Sequence, residues 1–369
     1  MMKIQIKEWI KKEMVLCISV VLAVLSMFVV SPNKGYLSYL DGRTLILLFC
    51  LMAVVAGWKK AGVLHKAAEM LLGRISNARQ LAQVLVLLCF FSSMLITNDV
   101  ALLTFVPFGL LALKKANCTN IMISVVVLQT IAANLGSMLL PVGNPQNLYL
   151  YGQSGLTFIQ FVLHMFPLWV VSFFAIWVAT LWIKKQTVSV KMEYVMVTGG
   201  WFYLVLFVLC LAAVANILPC WALLVVLVCA ILWKDKSILG QVDYCLLATF
   251  VCFFVFIGNV KAMPQLAQLF QQWITGRELT VGILASQVIS NVPAAILLSG
   301  FSDNSSILLW ATDIGGLGTL IASLASLISY KIYMQEKQSD GGAYLKMFTL
   351  INLLFLVLLW GVALVVLAL

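Results

Sequence analysis

Four stretches of polar and helix-breaking residues interrupt otherwise apolar sequence: Thr97-Asn98-Asp99, Asn134 through Asn147, Ser290-Asn291-Val292-Pro293, and Asp313 through Ser326. The second contains Gly136, Pro141, Gly143, Asn144, Pro145, Gln146 and Asn147; the fourth contains Gly315, Gly316, Gly318, Thr319, Ser323 and Ser326. Glycine, proline and asparagine inside an apolar helix free backbone carbonyls and amides, which lipid tolerates only where that backbone is buried in protein or lines a polar cavity. Two such breaks at matching places in two halves of a chain point to a transporter site. Close helix packing would account for the glycines, but packing does not require the run from Asn144 to Asn147.

The carboxylates discriminate further. Of 13 acidic residues, 11 lie in loops or at the ends of apolar runs, leaving Asp99 and Asp313 deep within them. An ionisable group at such depth is costly and marks function by default. No Lys or Arg stands at comparable depth, so each carboxylate takes a proton, a cation such as sodium, or hydrogen bonds from Asn, Ser and Thr; helix capping is the bland alternative, with Asp99 ahead of an arm beginning at Val100. An anionic substrate would then be held by helix N-termini and by donors on Thr97, Asn98, Asn144, Asn147, Ser290, Asn291, Thr319, Ser323 and Ser326. Sodium would suit Thr97, Asn98, Asn144, Ser290 and Asn291 together with freed carbonyls. Asn134 stands in the first half where Asp313 stands in the second, and Gly143 opens the first break.

The elements carrying these residues are transmembrane. The 369 residues are 63% hydrophobic and 10% charged, with a mean hydropathy of +1.08, more apolar side chain than a soluble core absorbs. Apolar runs predict nine crossings, at 14–30, 44–58, 119–150, 165–183, 200–216, 219–233, 242–258, 306–330 and 347–368. Stretches 81–113 and 279–301, broken in their middles, have arms of about 8 to 16 residues, too short to cross at about 1.5 Å per residue, and read as re-entrant hairpins. With the N-terminus in the cytoplasm, 19 of the 23 Lys and Arg fall inside, leaving Lys34, Arg43, Lys261 and Arg277 outside and placing the C-terminus outside. The formal charge of +10 is therefore topological, with no basic and aromatic patch for nucleic acid. Lys3, Lys7, Lys11 and Lys12 precede an apolar run without a small-x-small cleavage site, which predicts a retained first span.

Asp41 to Gly57 has a counterpart in Asp243 to Gly258, each followed by a short amphipathic stretch (61–75 and 262–275), a hairpin and a broken helix. The predicted fold is an all-α polytopic inverted repeat with two re-entrant hairpins and two broken helices. Its parts are an N-terminal segment and first span (1–40), a first repeat (41–185), connecting spans (186–241) and a second repeat (242–369), and one helix is missing near the N-terminus. The nine cysteines show no metal-ligand spacing and read as small hydrophobes; His65 and His164 read as surface residues near the interface.

Leu95-Ile-Thr-Asn-Asp-Val-Ala-Leu-Leu103, Gly136 to Asn147, Ser286-Gln-Val-Ile-Ser-Asn-Val-Pro293 and Gly315 to Ser326 resemble the motifs of the ion transporter superfamily, which includes divalent anion/sodium symporters, arsenite permeases and sodium/proton antiporters of the NhaD type. The nearest likeness is to small citrate-transporter-like permeases of the YbiR type. The resemblance implies that hairpin-tip triplets and the facing broken-helix loops hold sodium and substrate. Thr97-Asn98 and Ser290-Asn291 match the first two members of a Ser-Asn-Thr triplet; the third is Asp99 in one half and Val292 in the other, and Thr97-Asn98-Asp99 resembles the Thr-Asn-Asp of the arsenite and antiporter branches. The second broken helix carries Ala322-Ser323 and Ala325-Ser326 in place of Asn-Pro signals.

The expected function is ion-coupled secondary transport of a small anion or oxyanion by alternating access, driven by sodium or protons, with no cofactor and no enzymatic activity. Arsenite or antimonite efflux and sodium/proton antiport are the alternatives. A passive channel and an intramembrane aspartyl protease are remoter, the latter because its Gly-x-Gly-Asp context is absent. The implied partners are the substrate and the bilayer of a bacterial-type inner membrane; a homodimer is left open.

Overall fold

The computed structural model describes residues 13–32, 35–63, 66, 75–188, 199–337 and 339–368. Lys3, Lys7, Lys11, Lys12, Lys34, His65 and most of the amphipathic stretch 61–75 lie outside the described residues. Among those described, the chain is helical with one isolated bridge, Asn77 to Thr187. The helices are α1 (Met14–Val29), α2 (Tyr36–Tyr39), α3 (Gly42–Lys60), α4 (Ala78–Ile96), α5 (Asn98–Lys115), α6 (Met122–Gly136), α7 (Pro145–Ser154), α8 (Phe158–Leu181), α9 (Gly200–Val214) and α10 (Cys220–Asp235). They continue as α11 (Tyr244–Lys261), α12 (Pro264–Ile274), α13 (Glu278–Ile289), α14 (Asn291–Ser299), α15 (Ser305–Gly315), α16 (Leu324–Met334) and α17 (Gly341–Ala368).

Six helical segments among the described residues are long and apolar enough to cross a membrane: α3, α4, α6 with its flanking turns, α8, α11 and α17. α6 is buried on nearly every side, whereas α8 and α17 present most of their surface outward. Exposed tryptophans collect at helix ends, with Trp182 after α8, Trp201 opening α9, and Trp221 and Trp233 at the two ends of α10. Indole rings favour the membrane–water interface, with an apolar body in lipid and an N–H in the headgroups.

Local chemistry sets the helix starts. Asp41 accepts from Thr44 N and Asp243 from Leu246 N in nearly the same backbone conformation (φ −80°, ψ 85° and φ −79°, ψ 86°), so α3 and α11 open alike. Each then packs a glycine against a tyrosine, Gly57 beneath Tyr203 and Gly258 beneath Tyr39.

Both interrupted stretches fold into helical hairpins. The first differs from expectation in length: its arms, α4 and α5, have 19 and 18 residues, about 28 Å each, comparable to a ~30 Å hydrocarbon core. The apolar run understates them, because α4 begins in polar residues capped by Asn77 and α5 runs on to Lys114-Lys115. The second hairpin is short as expected, with arms α13 and α14 of 12 and 9 residues. Gln129 on α6 ties the first hairpin together, donating from Nε2 to Leu85 O (3.3 Å) on one arm and to Phe105 O (3.0 Å) on the other.

The broken helices run between the two hairpin bases in opposite directions. α6 starts beside the first base, after Lys115, and past the break α7 reaches Tyr149, whose hydroxyl lies 3.0 Å from Ser299 Oγ on the second hairpin. α15 starts beside the second base, where Ser302 bonds Glu278, and past its break α16 ends near Glu336, the salt-bridge partner of Lys114 at the first base. His164 is half-buried rather than superficial: its ring stacks on Trp310 (4.5 Å, 6°), Nε2 lies 2.8 Å from Ser306 O, and Trp310 Nε1 donates to His164 O, which pins α8 to α15.

Candidate substrate and ion site

Each hairpin reverses at a single residue in the same unusual conformation, Thr97 at φ 69°, ψ 151° and Ser290 at φ 74°, ψ 154°. Positive φ is costly for residues with a Cβ and persists where the surroundings over-determine it, commonly at functional sites. The reversal aims the N-termini of α5 and α14 at the breaks. Asn98 and Asn291, the first residues of those helices, accept from the next backbone N–H, Asp99 N at 2.9 Å and Val292 N at 3.0 Å.

The first tip meets both breaks through Asn134, in the last turn of α6. Asn134 Oδ1 accepts from Asn98 Nδ2 (3.0 Å) and from Ser323 Oγ (3.1 Å), and its Nδ2 faces Ser326 Oγ (3.4 Å) and Gly316 O (3.5 Å). The second tip meets the second break: Asn291 N donates to Ala322 O (2.9 Å), and a Cβ on Gly316 would stand 2.8 Å from Asn291 Nδ2. Glycine lets the half-helices approach their hairpins. A Cβ on Gly136 would stand 1.9 Å from Phe90 O, and one on Gly315 would stand 2.6 Å from Ser286 Oγ.

Asp313 lies in the last turn of α15 and is 2% exposed. Its Oδ1 accepts from Asn144 Nδ2 (3.0 Å) and Gln146 Nε2 (3.2 Å), so the start of α7 closes on the end of α15. Asn144 caps α7 by accepting from Asn147 N (2.8 Å) and also donates to Ser137 Oγ (3.2 Å). Asn147 lies against the same carboxylate but directs its Nδ2 to Met138 O (3.2 Å). Gly143 packs on the Ser137 carbonyl. Asp313 is thus no N-cap of its own helix, a role that Asn304 fills.

Asp99 occupies the first turn of α5 and makes no cap; it lines a cavity of about 330 Å³ with Thr97, Val142, Asn144 and Pro145. The cavity runs outward to the exposed residues Lys59, Gln241 and Asp243. Asn144 therefore borders both the cavity and Asp313. Among the described residues no hydrogen bond joins the two carboxylates: Asp313 bonds Asn144 and Gln146, whereas Asp99 lines the cavity.

Of the sequence-predicted residues, Asn98, Asn134, Ser323 and Ser326 form one cluster, and Asn144, Asn147 and Asp313 form another joined to it through Ser137, whose Oγ donates to Asn134 O. Ser290 and Asn291 close on the second break. Thr319 stands apart: it is exposed and bonded to Gln287, which also donates to Gly315 O and Leu317 O. Sequence reasoning missed Gln146, although it stands inside the quoted motif, and missed Gln287 and Lys59. Lys59 looks like any other basic residue at a helix end, and no local signal marks it.

A helical protein with this lipid-facing surface and a polar centre built from broken helices is a polytopic membrane transporter, not an enzyme. The chain belongs to the citrate transporter family, CitMHS, whose profile matches residues 4–311. It is 30% identical to the inner membrane protein YbiR of Escherichia coli over 84% of each chain. It is 32% identical to the silicon efflux transporter LSI3 of rice over 38% of this chain and 28% of that protein. The crystal structure of the Alcanivorax borkumensis YdaH transporter shares the fold, with a TM-score of 0.56 and 13% identity over 89% of this chain and 86% of that one.

Proposed function

We propose that the protein is an ion-coupled secondary transporter of a small anion or oxyanion, working by alternating access with Asp99 and the hairpin tips at the substrate cavity. The observation that carries this reading is the cavity itself, which leads from Lys59 and Asp243 at one face to Thr97, Asp99 and Asn144 at the hairpin tip and the break. Lys59 and Asp243 set opposite charges at its mouth, and the α5 N-terminus supplies the donors for an anion at its inner end. The matched tip conformations, the matched caps of α3 and α11, and the opposed broken helices support an inverted repeat, with the repeats at 41–185 and 242–369. The basic asymmetry supports a cytoplasmic location for the face bearing Lys59, Lys60 and Lys114, in a bacterial-type inner membrane.

Efflux of a neutral oxyacid such as arsenite is the second reading. It is favoured by the lining of the inner end of the cavity, where no Lys or Arg stands beside Asp99 among the described residues, and by the silicon efflux transporter among the relatives. Proteoliposomes carrying the purified chain test both readings. Saturable counterflow of a carboxylate or oxyanion, responding to an imposed sodium or proton gradient, supports the first. Counterflow of arsenite alone supports the second, and non-saturable leak overturns both in favour of a pore.

A further inference from the structure

A groove of about 820 Å³ lies between α6, α8 and α17 and shares no lining residue with the Asp99 cavity. Small side chains open it: Ala175 and Ala179, one turn apart on α8, leave a hollow against the neighbouring helices. The first turns of α6 form a second wall and one face of α17 a third. Ser124 Oγ donates to Met347 Sδ (3.4 Å), which ties α6 to α17 near one end of the groove.

The lining is graded along its length. Lys184, Asn120, Ser124 and the indole of Trp182 stand where α8 ends and where α6 and α17 begin, whereas the far end, at Leu128, Val170 and Leu358, is apolar. Val170 to Trp182 spans about 18 Å of helix and Met347 to Leu358 about 16 Å, close to the ~15 Å of hydrocarbon in one leaflet of a ~30 Å core. Trp182 is 82% exposed, as suits an indole among headgroups.

The polar end is also cationic. Lys184 is exposed and carries no ion pair or hydrogen bond among the described residues. Arg79 donates from Nε to Ile183 O (2.8 Å), which sets a second cation against the residue before Lys184. No Asp or Glu lines the groove. These charges also argue against a second copy of the chain as occupant. In a two-fold dimer about the membrane normal this face would meet itself, cation level with cation, and neither α8 nor α17 carries an Asp or Glu to pair with Lys184.

We propose that the groove binds an anionic phospholipid of the adjoining leaflet, its phosphate at Lys184 and Arg79 and one acyl chain lying along Ala179 and Ala175 toward Val170. Basic recesses between membrane helices hold anionic headgroups, and the apolar slot below this one adds a seat for the tail. The lipid braces the start of α6 against α8 and α17, and α6 carries Asn134 in its last turn.

The test is thermal unfolding of delipidated full-length protein in detergent, titrated with phosphatidylglycerol. Phosphatidylcholine of the same chains keeps the tails without net charge, and glycerol 1-phosphate keeps the charge without the tails. Phosphatidylglycerol raises the melting temperature saturably, because a ligand that binds only the folded state stabilises it, and each control needs about tenfold more or fails to act. Lys184→Gln weakens the apparent affinity about fivefold, the effect of one basic residue near anionic headgroups, and leaves the lipid-free melting temperature unchanged. Ala175→Phe, which fills the slot, weakens it about tenfold or more, whereas Lys234→Gln, at the end of α10, leaves it within about twofold. Val178→Trp replaces Ala175→Phe if that variant does not fold, since Val178 lines the groove and is 51% exposed. Equal stabilisation by phosphatidylcholine overturns the site by making the groove ordinary lipid-facing surface, and equal stabilisation by glycerol 1-phosphate overturns it in favour of a soluble anion. An unchanged phosphatidylglycerol response in both Lys184→Gln and the groove-filling variant also overturns it. Val178→Cys in a cysteine-free background should stay uncross-linked in phosphatidylglycerol vesicles; efficient cross-linking to a second copy overturns the lipid in favour of a dimer.

Discussion

Among the described residues, Asn134 is the side chain whose hydrogen bonds join the first hairpin tip to both breaks, and replacing it with alanine removes those bonds. Four contacts are lost, but two are long, at 3.4 and 3.5 Å, and contribute little. The two of normal length, from Asn98 Nδ2 at 3.0 Å and from Ser323 Oγ at 3.1 Å, leave buried donors without an acceptor. Orphaned buried donors in soluble proteins cost about 1–3 kcal/mol each. Interhelical hydrogen bonds inside membrane proteins measure nearer ~0.6 kcal/mol, reaching ~1.7, because the unfolded chain in lipid also finds partners. The membrane scale applies here, so Asn134→Ala should cost about 1–3 kcal/mol in all and leave the protein folded. A double-mutant cycle with Asn98→Ala isolates one of the two bonds, and its coupling should be about 0.6–1.7 kcal/mol. Unfolding of the four proteins in mixed micelles, followed by tryptophan fluorescence, measures it. Additivity within about 0.3 kcal/mol would refute the bridge, and with it the argument that the first tip and the breaks form one unit.

Asp99→Asn should abolish the pH dependence of transport in proteoliposomes while equilibrium substrate binding survives at least in part. Lys59 and Asp243 share its cavity, so Lys59→Gln and Asp243→Asn, carried in parallel, must retain a pH response for the assignment to Asp99 to stand. Single cysteines placed at Lys114 and Lys184 in a cysteine-free background should react from one side of the membrane, and those at Gln153 and Asn304 from the other; positions 114 and 153 labelled from the same side would break the opposed-helix topology. Gly136→Ala should destabilise by about 1–3 kcal/mol or more, since its Cβ meets a backbone carbonyl at 1.9 Å, whereas Gly42→Ala, with nothing within 4 Å, should be close to neutral in thermal unfolding.

The elements that were legible in the sequence are those whose signal is local. Long apolar runs specify spans because lipid forces the backbone to satisfy itself within a helix. Polar and glycine-proline interruptions specify breaks and tips for the same reason, and the breaks after Gly136 and Gly315 fall where they were read. The reversals at Thr97 and Ser290 also lie within the predicted tips. Arm length is not legible in this way, because hydropathy sees only the apolar part of a helix, while α4 and α5 extend into the capped and charged residues at Asn77 and Lys114. His164 looks superficial in sequence because its partner Trp310 is far away along the chain.

The sequence alone determined that this chain lies in a membrane, that its helices are interrupted at four places, and that Asp99 and Asp313 put ionisable groups where charge is expensive. Burial cost and helix geometry act residue by residue, so each can be read without knowing what packs where. Only the tertiary structure decided which interruptions meet. It joined Asn98 to Asn134 and both to Ser323, closed Asn144 and Gln146 on Asp313, sent Thr319 to Gln287 instead, and opened the Asp99 cavity toward Lys59. Those pairings span up to 189 residues of chain. They depend on how two opposed broken helices dock against two hairpins, and a hydrogen bond across such a distance leaves no periodicity in the sequence from which to read it.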